Sequence, residues 1–290
     1  MTEPFDAHRR LLFRVAYDLL GSVADAEDVV QDTWLRWSAA DRSPVRDPRA
    51  YLVRTVTNQA LNRLRTAAAT RETYLGPWLP EPLVEPDPAD DVTDRLDREQ
   101  DVSLALLVVL ETLSPAERAV FVLREVFGMS HDEVAAALDR TPAAVRQLAH
   151  RAREHVQARR PRFEADAAQQ RRVTEQFLAA CATGDLARLL ALLAPDVTLV
   201  SDGGGVVSAA RRPVLGADKV ARFLLGVAAG VPAESQRLVR VNGRLGLAGF
   251  APDGATGYRA EHVTLLDVVD GRIGAVLVVR NPAKLMRVTP

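Results

Sequence analysis

Ser114-Pro115-Ala116-Glu117 opens the stretch on which the reading of this chain turns, and Thr141-Pro142-Ala143-Ala144-Val145-Arg146-Gln147-Leu148-Ala149-His150-Arg151-Ala152-Arg153 closes it. The first four residues start a helix: a capping hydroxyl, proline at the first helical position and a carboxylate three residues after the cap. Val120, Phe121, Leu123, Val126 and Phe127 carry it to Gly128, a natural C-terminal stop. Ser130 to Glu133 repeats the capping box and opens a short helix with Val134, Ala135 and Leu138 on one face. Thr141 then caps a third helix that begins at Pro142. On it Val145, Leu148, Ala149, Ala152 and Val156 form an apolar stripe at helical spacing. The opposite face holds Ala143, Gln147 and His150, flanked by Arg146, Arg151 and Arg153. Three capped helices at this spacing read as a helix-turn-helix whose last helix suits a major groove. Ala143 permits close approach, Gln and Arg pair with base edges, and the flanking Arg hold phosphates. From Arg140 to Arg162 seven arginines stand against one acid, Glu154.

The rest of the composition limits what surrounds this unit. The chain has 290 residues and a formal net charge of −1, so its positive charge is local rather than global. Two or three compact units fit this length. Lys219 and Lys284 are the only lysines among 37 basic residues, a bias that a GC-rich genome would produce by itself. The single cysteine, Cys181, excludes an internal disulfide, a cysteine zinc site and a CxxC redox pair. No apolar run reaches about 18 residues, and Met1-Thr2-Glu3-Pro4 has no signal-peptide pattern. The expectation is a soluble cytoplasmic protein without metal or cofactor.

Upstream, Phe5 to Leu20 reads as a helix with Leu12, Val15, Ala16 and Leu19 inward, and Ser22 to Asp25 restarts it. Ala26, Val29, Val30, Thr33, Trp34 and Trp37 then predict a buried stripe. The reverse face carries Asp25, Asp28, Asp32 and Leu35, which suits docking to a basic partner. Asp47-Pro48 starts a further helix with Val53, Val56, Thr57, Ala60 and Leu64 inward. Tyr51, Thr55, Asn58, Gln59 and Asn62 are expected outward, bordered by Arg54, Arg63 and Arg65. Amides, an aromatic ring and bordering Arg make a single-strand surface plausible, and the polar loop Ser38–Arg46 leaves room for an extruded base.

The segment Ser-Val-Ala-Asp-Ala-Glu-Asp-Val-Val-Gln-Asp-Thr-Trp-Leu-Arg-Trp (22–37) and the run Ala-Val-Arg-Gln-Leu-Ala-His-Arg-Ala-Arg (144–153) resemble those of an extracytoplasmic-function (group 4) sigma factor. The resemblance covers about the first 160 residues. It implies a first sigma domain over 1–70, with Asp25, Asp28, Gln31, Asp32, Trp34 and Leu35 gripping the β′ clamp coiled coil of core RNA polymerase. In the same domain Tyr51, Arg54, Thr55, Asn58, Gln59, Asn62, Arg63 and Arg65 would melt and read the −10 element. It implies a second sigma domain over 104–162, lying at the β flap and reading the −35 element. There Thr141, Pro142, Ala143, Arg146, Gln147, His150, Arg151 and Arg153 would contact DNA.

Between the two domains composition shifts. Over about 71–103, Pro77, Pro80, Pro82, Pro86 and Pro88 are read as excluding regular helix or strand. Glu81, Glu85, Asp87, Asp90, Asp91, Asp94 and Asp97 make the segment an acidic tether. Within it, Trp78-Leu79-Pro80-Glu81-Pro82 needs an apolar surface to dock on.

From 163 the periodicity changes. Gln169–Thr183 is helical to Gly184, and Asp185 caps a Leu-rich helix. Val197–Ser201 alternates as a strand into Asp202-Gly203-Gly204-Gly205, and Ala217–Gly226 is helical. Asn242-Gly243 and Asp270-Gly271 each join two alternating runs as hairpins. Helices followed by a curled antiparallel sheet describe an α+β domain that can wrap a pocket. This part resembles the SnoaL-like, nuclear-transport-factor-2-like cone. Some relatives of that cone are polyketide cyclases using an Asp base, so Asp202, Glu261, His262 and Asp267 are the titratable residues expected to line a pocket. The expected architecture is therefore multidomain: two all-α sigma domains, then an α+β cone. One sigma subgroup carries such an appendage together with a Trp-Leu-Pro-Glu-Pro linker, an Asp-Gly-Gly-Gly-Lys turn and an Asn-Pro-Asp-Lys-Leu tail. Here Val206 replaces the lysine of the turn and Ala283 the aspartate of the tail Asn281-Pro282-Ala283-Lys284-Leu285. That puts a lysine–linker salt bridge in doubt and leaves the glycine-turn N–H groups as candidates to hold Glu81.

The expected function is a sigma factor for core RNA polymerase and promoter DNA, monomeric when free and away from membranes. Its fused domain, with a small-molecule ligand as a further expectation, would set activity in cis by contacting the linker. Two rivals stand beside it. A DNA-binding regulator whose cone senses a small molecule would bind DNA without polymerase. A cyclase- or isomerase-like enzyme would need a deep pocket holding an Asp–His pair.

Overall fold

The computed structural model describes residues 3–86, 102–159, 166–229, 235–254 and 257–289. They fall into two compact units, one drawn from Met1–Thr73 and Leu106–Arg160, the other from Tyr74–Ala105 and Pro161–Pro290.

The first unit is all helical. Helix α1 (Glu3–Leu20) ends at Gly21 in the left-handed region, and α2 (Val23–Ala39) starts on the Ser22 side chain, which accepts from Asp25 N–H at 3.3 Å. Helix α3 (Pro48–Glu72) packs on both. Leu12, Val15, Leu19, Val56 and Ala60 are fully buried between them, and each of the Leu and Val side chains contributes about 1.5–3 kcal/mol by leaving water. Helices α4 (Leu104–Leu110), α5 (Pro115–Phe121), α6 (His131–Leu138) and α7 (Pro142–Arg159) complete the unit. The boundary between the units falls inside α4. Ser114 and Ser130 both close capping boxes, with Glu117 and Glu133 as reciprocal acceptors. Between α5 and Gly128 the chain widens into one π-helical turn, Val122–Val126, where the sequence pattern predicts unbroken α-helix. Asp139 takes the left-handed conformation (φ 54°) that ends α6, one of few non-glycine residue types that tolerate it.

In this unit Arg118 is 3% exposed. Its Nε donates to Leu110 O at 2.9 Å, and Nη1 to Leu19 O at 2.7 Å and to Glu111 Oε1 at 2.6 Å. One buried cation thus ties the end of α1 to the end of α4 and the start of α5.

The second unit is built on a sheet of seven strands: β1 (Val84–Pro86), β2 (Leu193–Asp202), β3 (Val214–Leu215), β4 (Gln236–Val241), β5 (Arg244–Asp253), β6 (Gly257–Val269) and β7 (Arg272–Val279). Their order is β1-β4-β5-β6-β7-β2-β3, with β2–β7 the one parallel pair among them. Asn242-Gly243 (φ 48° and 73°) and Asp270-Gly271 (φ 50° and 75°) are two-residue turns with both residues left-handed, which matches strand twist. Strand β1 corrects the reading of the linker: prolines do not keep it out of the sheet. Val84, Glu85 and Pro86 pair antiparallel with Val241, Arg240 and Val239 at the sheet edge, where a missing N–H is tolerated.

Helices α8 (Ala167–Thr183), α9 (Leu186–Leu192) and α10 (Ala217–Ala228) cover one face of this sheet. Leu199, Leu247, Leu266, Val268, Ile273 and Val276 meet Phe177, Leu189 and Val220 there. Because side chains alternate along a strand, Val239, Val241, Ala248, Val263, Leu265, Leu277 and Val279 belong to the other face, and all are buried.

Candidate functional site

Helix α7 presents the face that its stripe implies. Val145, Leu148, Ala149, Ala152 and Val156 are buried, while Thr141, Ala143, Arg146, Gln147, His150, Arg151 and Arg153 are exposed and Pro142 is half-buried. Thr141 Oγ1 accepts from Ala144 N–H at 3.2 Å, fixing the first turn. The C-terminal half of the face is lightly tied: Arg151 Nε reaches Glu117 Oε1 at 3.1 Å, Arg153 Nε reaches Glu125 Oε1 at 3.2 Å, and His150 lies 3.6 Å from Glu154. Exposed pairs of this kind are worth about 0–1 kcal/mol, so a phosphate can replace the carboxylate. Hydrogen bonding from Ser114, reinforced by Arg151, holds the Glu117 carboxyl below the usual range. Arg146 and Gln147 have no protein partner among the described residues.

Helix α3 is different, and it corrects the outward reading of its polar side. Of the eight residues expected to read the −10 element, Arg54, Asn62, Arg63 and Arg65 are exposed, whereas Tyr51, Thr55, Asn58 and Gln59 are half-buried. The Tyr51 ring lies tilted against Trp37 at 5.5 Å, and Thr55 Oγ1 donates to Tyr51 O. Asn58 Nδ2 donates to Ala137 O at 3.3 Å, at the end of α6, and Gln59 Nε2 donates to Thr33 Oγ1 at 3.2 Å. Asn62 accepts from Arg65 at 3.0 Å. Leu52 and Leu61 are buried as well, so α3 is packed on two sides rather than one.

On α2, Asp25, Asp28, Gln31, Asp32 and Leu35 face outward in one acidic patch with an apolar member, Leu35 being 49% exposed. Trp34 belongs to this surface too: it is 38% exposed and not part of the buried stripe that helical spacing suggested. Arg63 crosses from α3 to this patch, with Nη2 2.7 Å from Asp25 and 3.2 Å from Asp28. Asp25 raises the Arg63 pKa further above its ordinary value.

The second unit contains a clasp that sequence reading located only in part. Tyr74, Trp78 and Leu79, from the chain that follows α3, lie against the Asp202 turn. The Asp202 carboxylate is fully buried and accepts from Tyr74 Oη at 2.7 Å and from Leu79 N–H at 2.9 Å. Lys284 Nζ completes it, 2.7 Å from Asp202 Oδ2 and 2.5 Å from Leu79 O. The same ammonium sits 4.2 Å from the Trp78 ring centre and 5.2 Å from that of Tyr74, a cation–π arrangement. Asn281 Nδ2 donates to Tyr74 Oη at 2.8 Å. Burial first, and the hydrogen bond to Asp202 second, push the Tyr74 hydroxyl pKa up, keeping it a donor. Leu79, Pro80 and Pro82 are buried and Trp78, Glu81 and Leu83 half-buried; Leu83 N–H donates to Asn242 Oδ1. The glycines are required here. A Cβ on Gly204 would stand 2.5 Å from the Asn281 amide, and one on Gly205 2.8 Å from Leu75 Cδ1. Gly203 closes the turn, accepting from Val206 and Val207 N–H, while Gly204 N–H donates to Asp202. Lys284, which the sequence reading did not place in the site, therefore supplies the cation that Val206 lacks.

The four titratable residues expected in one pocket are not brought together. Asp202 is registered with Val279, which is registered with Val263, so Asp202 belongs to the face opposite to that of His262. Asp267 alternates to the Asp202 face, and burial raises its pKa. His262 lies over Gly249, where a Cβ would stand 2.0 Å from its ring, and burial lowers its pKa to about 4. Glu261 is 3.7 Å from Arg259. The helix-covered face is filled by Leu, Val, Ile and Phe side chains. No cluster of three metal-ligating side chains occurs among the described residues, and no helix among them is long and apolar enough to cross a membrane.

Comparison with known proteins gives this geometry its family. Residues 5–70 match the model of Sigma-70 region 2, 103–156 that of Sigma-70, region 4, and 174–276 that of the SnoaL-like domain. The ECF RNA polymerase sigma factor SigJ of Mycobacterium tuberculosis is 42% identical over 287 residues, covering 97% of this chain and 91% of its own. The probable ECF RNA polymerase sigma factor SigI of the same species is 38% identical over 224 residues, covering 76% and 74%. The crystal structure of M. tuberculosis SigJ superposes with a TM-score of 0.80 at 39% identity, over 99% of this chain and 98% of that one. Two sigma helical domains followed by a SnoaL-like α+β domain thus make this chain a member of the extracytoplasmic-function RNA polymerase sigma factors.

Proposed function

We propose that this sigma factor reads the −35 element through Thr141, Pro142, Ala143, Arg146, Gln147, His150, Arg151 and Arg153. The observation that carries this reading is the exposed N-terminal half of the α7 face, where Arg146 and Gln147 are unpartnered over a sealed apolar stripe. A groove-reading helix needs this combination, since side chains already bonded at home would have to break those bonds to reach base edges. The −10 element is read by Tyr51, Arg54, Thr55, Asn58, Gln59, Asn62, Arg63 and Arg65, and core polymerase is gripped by Asp25, Asp28, Gln31, Asp32, Trp34 and Leu35. The SnoaL-like domain acts in cis by holding the linker through Asp202 and Lys284. Tethering on one chain gives such a contact an effective concentration of millimolar order.

Run-off transcription with purified core polymerase tests the assignment. Arg146→Ala and Gln147→Ala each weaken −35-dependent initiation, while Asp28→Ala lowers recovery of core polymerase in a pull-down. Removal of residues 163–290 changes run-off yield; identical transcripts with and without them refute the control role. DNA binding of full strength without polymerase would favour a free-standing regulator instead.

A further inference from the structure

Beside the clasp, and still within the second unit, lies a cavity of about 430 Å³. One wall is the linker itself, Leu75-Gly76-Pro77; the others are the glycine turn and the loop that follows it. That volume falls in the range of small-molecule sites. The helix-covered face of the sheet, by contrast, is occupied by core side chains. Any ligand of this unit therefore meets better-formed space at the linker than among the helices.

The lining has a definite chemistry. Pro77, Val207 and Ala209 are apolar, and Leu75 and Val206 at the rim are 71% and 76% exposed, among the most exposed large apolar side chains of the described residues. Among the described residues no carboxylate lines the cavity. Ser201, only 3% exposed, is a hydroxyl-bearing residue of the lining. Arg211 lines the cavity and has no partner among the described residues, while Arg280 Nη1 donates to the carbonyl of the lining residue Ser208 at 2.6 Å. The nearest acid in sequence, Asp202, is already neutralised by Lys284.

We propose that this cavity is a binding site for a small amphipathic carboxylate, its apolar chain against Leu75, Pro77 and Val206 and its head group on Arg211 and Ser201. Since Leu75 and Pro77 form one wall, the ligand binds the docked linker better than the released one. By linkage it must then favour docking. The regulatory consequence rests on the cis-control reading above; the site does not.

Calorimetric titration of the full-length chain with octanoate, octan-1-ol and octylamine tests it, the three probes differing only in the head. The expected result is one octanoate site, at least tenfold tighter than either alternative. Arg211→Gln erases that advantage, and Val206→Glu, at an exposed position that does not threaten folding, weakens octanoate at least tenfold and spares octylamine. Ala209→Trp fills the cavity and weakens all three. No octanoate binding, equal binding of octan-1-ol, or unchanged affinity in Val206→Glu overturns the site. Amide hydrogen exchange at Leu75, Trp78 and Leu79 slows severalfold with octanoate bound; unchanged exchange overturns the coupling to the linker. Polymerase pull-down reads the sigma assignment separately, so the two can fail independently.

Discussion

Helices α3 and α7 carry similar polar faces and use them in opposite ways. On α7 the amide and guanidinium nearest the N-terminus are exposed and unpartnered, and the bonds farther along are surface ion pairs. On α3 the corresponding amides already serve the fold: Asn58 holds the end of α6, Gln59 holds Thr33, and Tyr51 leans on Trp37. Polar residues at helical spacing on an outer face therefore do not make a ready interface by themselves. Reading DNA with α7 sacrifices almost no bonding within the protein. Reading it with α3 means trading protein hydrogen bonds, each worth about 0.5–1.5 kcal/mol net, for nucleic-acid ones.

The sharpest way to disturb this contrast is at Arg118, which ties the α1 end to α4 and α5. Arg118→Met removes the donor to two buried carbonyls and the cation paired with Glu111, at a cost of about 3–5 kcal/mol. Chemical denaturation should show that loss, with faster amide exchange at the ends of α1 and α4 that Arg118 joins. Lys284→Met comes next, with about 2–4 kcal/mol lost from the second unit, because Asp202 stays buried but keeps its Tyr74 and Leu79 donors. Limited proteolysis near Trp78 reads the released linker. Then comes the contrast itself. Arg146→Ala should cost about 1–3 kcal/mol in promoter discrimination for each base edge the guanidinium reads, with thermal stability unchanged. Asn58→Ala should instead cost about 0.5–1.5 kcal/mol of stability. Equal thermal stabilities for the two variants would break the distinction drawn between the helices.

A separate, pH-dependent effect concerns His262, whose pKa is lowered to about 4 by burial. A buried neutral imidazole disfavours protonation in the fold, while the unfolded chain takes up its proton near the ordinary 6.5. Stability is therefore fully present above about pH 6.5, falls as the pH drops from there towards about 4, and levels off below. His262→Gln should flatten that slope in denaturation curves measured across the window.

Local rules made most of the fold legible. The capping boxes at Ser114 and Ser130, the proline at 142 and the two left-handed hairpin turns all follow from near neighbours in sequence, and each occurs in the structure. What escaped depended on distant partners. Nothing near Asn58 announces Ala137, and Trp34 sits on the helical spacing of a buried stripe yet turns to solvent. Proline content argued against a linker strand, but the free edge of β4 accepted Val84–Pro86 where N–H donors are needed least. The clasp was half visible: Trp78, Leu79 and Asp202 were read as a contact, whereas Lys284 was read only as part of the tail motif and not as their partner. Its signal was its rarity, since only two lysines occur in an arginine-rich chain. A compact ammonium fits between two rings and a carboxylate where a broad planar guanidinium suits less well.

Lys284 follows Leu79 by 205 residues. At bacterial translation speeds of roughly 5–20 residues per second, this places about 10–40 s between the birth of the linker and that of its latch. During that interval both helical modules can leave the ribosome and assemble while Asp202 has no ammonium to meet. Each newly made molecule thus completes its two helical sigma domains before the Asp202–Lys284 clasp can close, so docking of the linker is a late event in its synthesis.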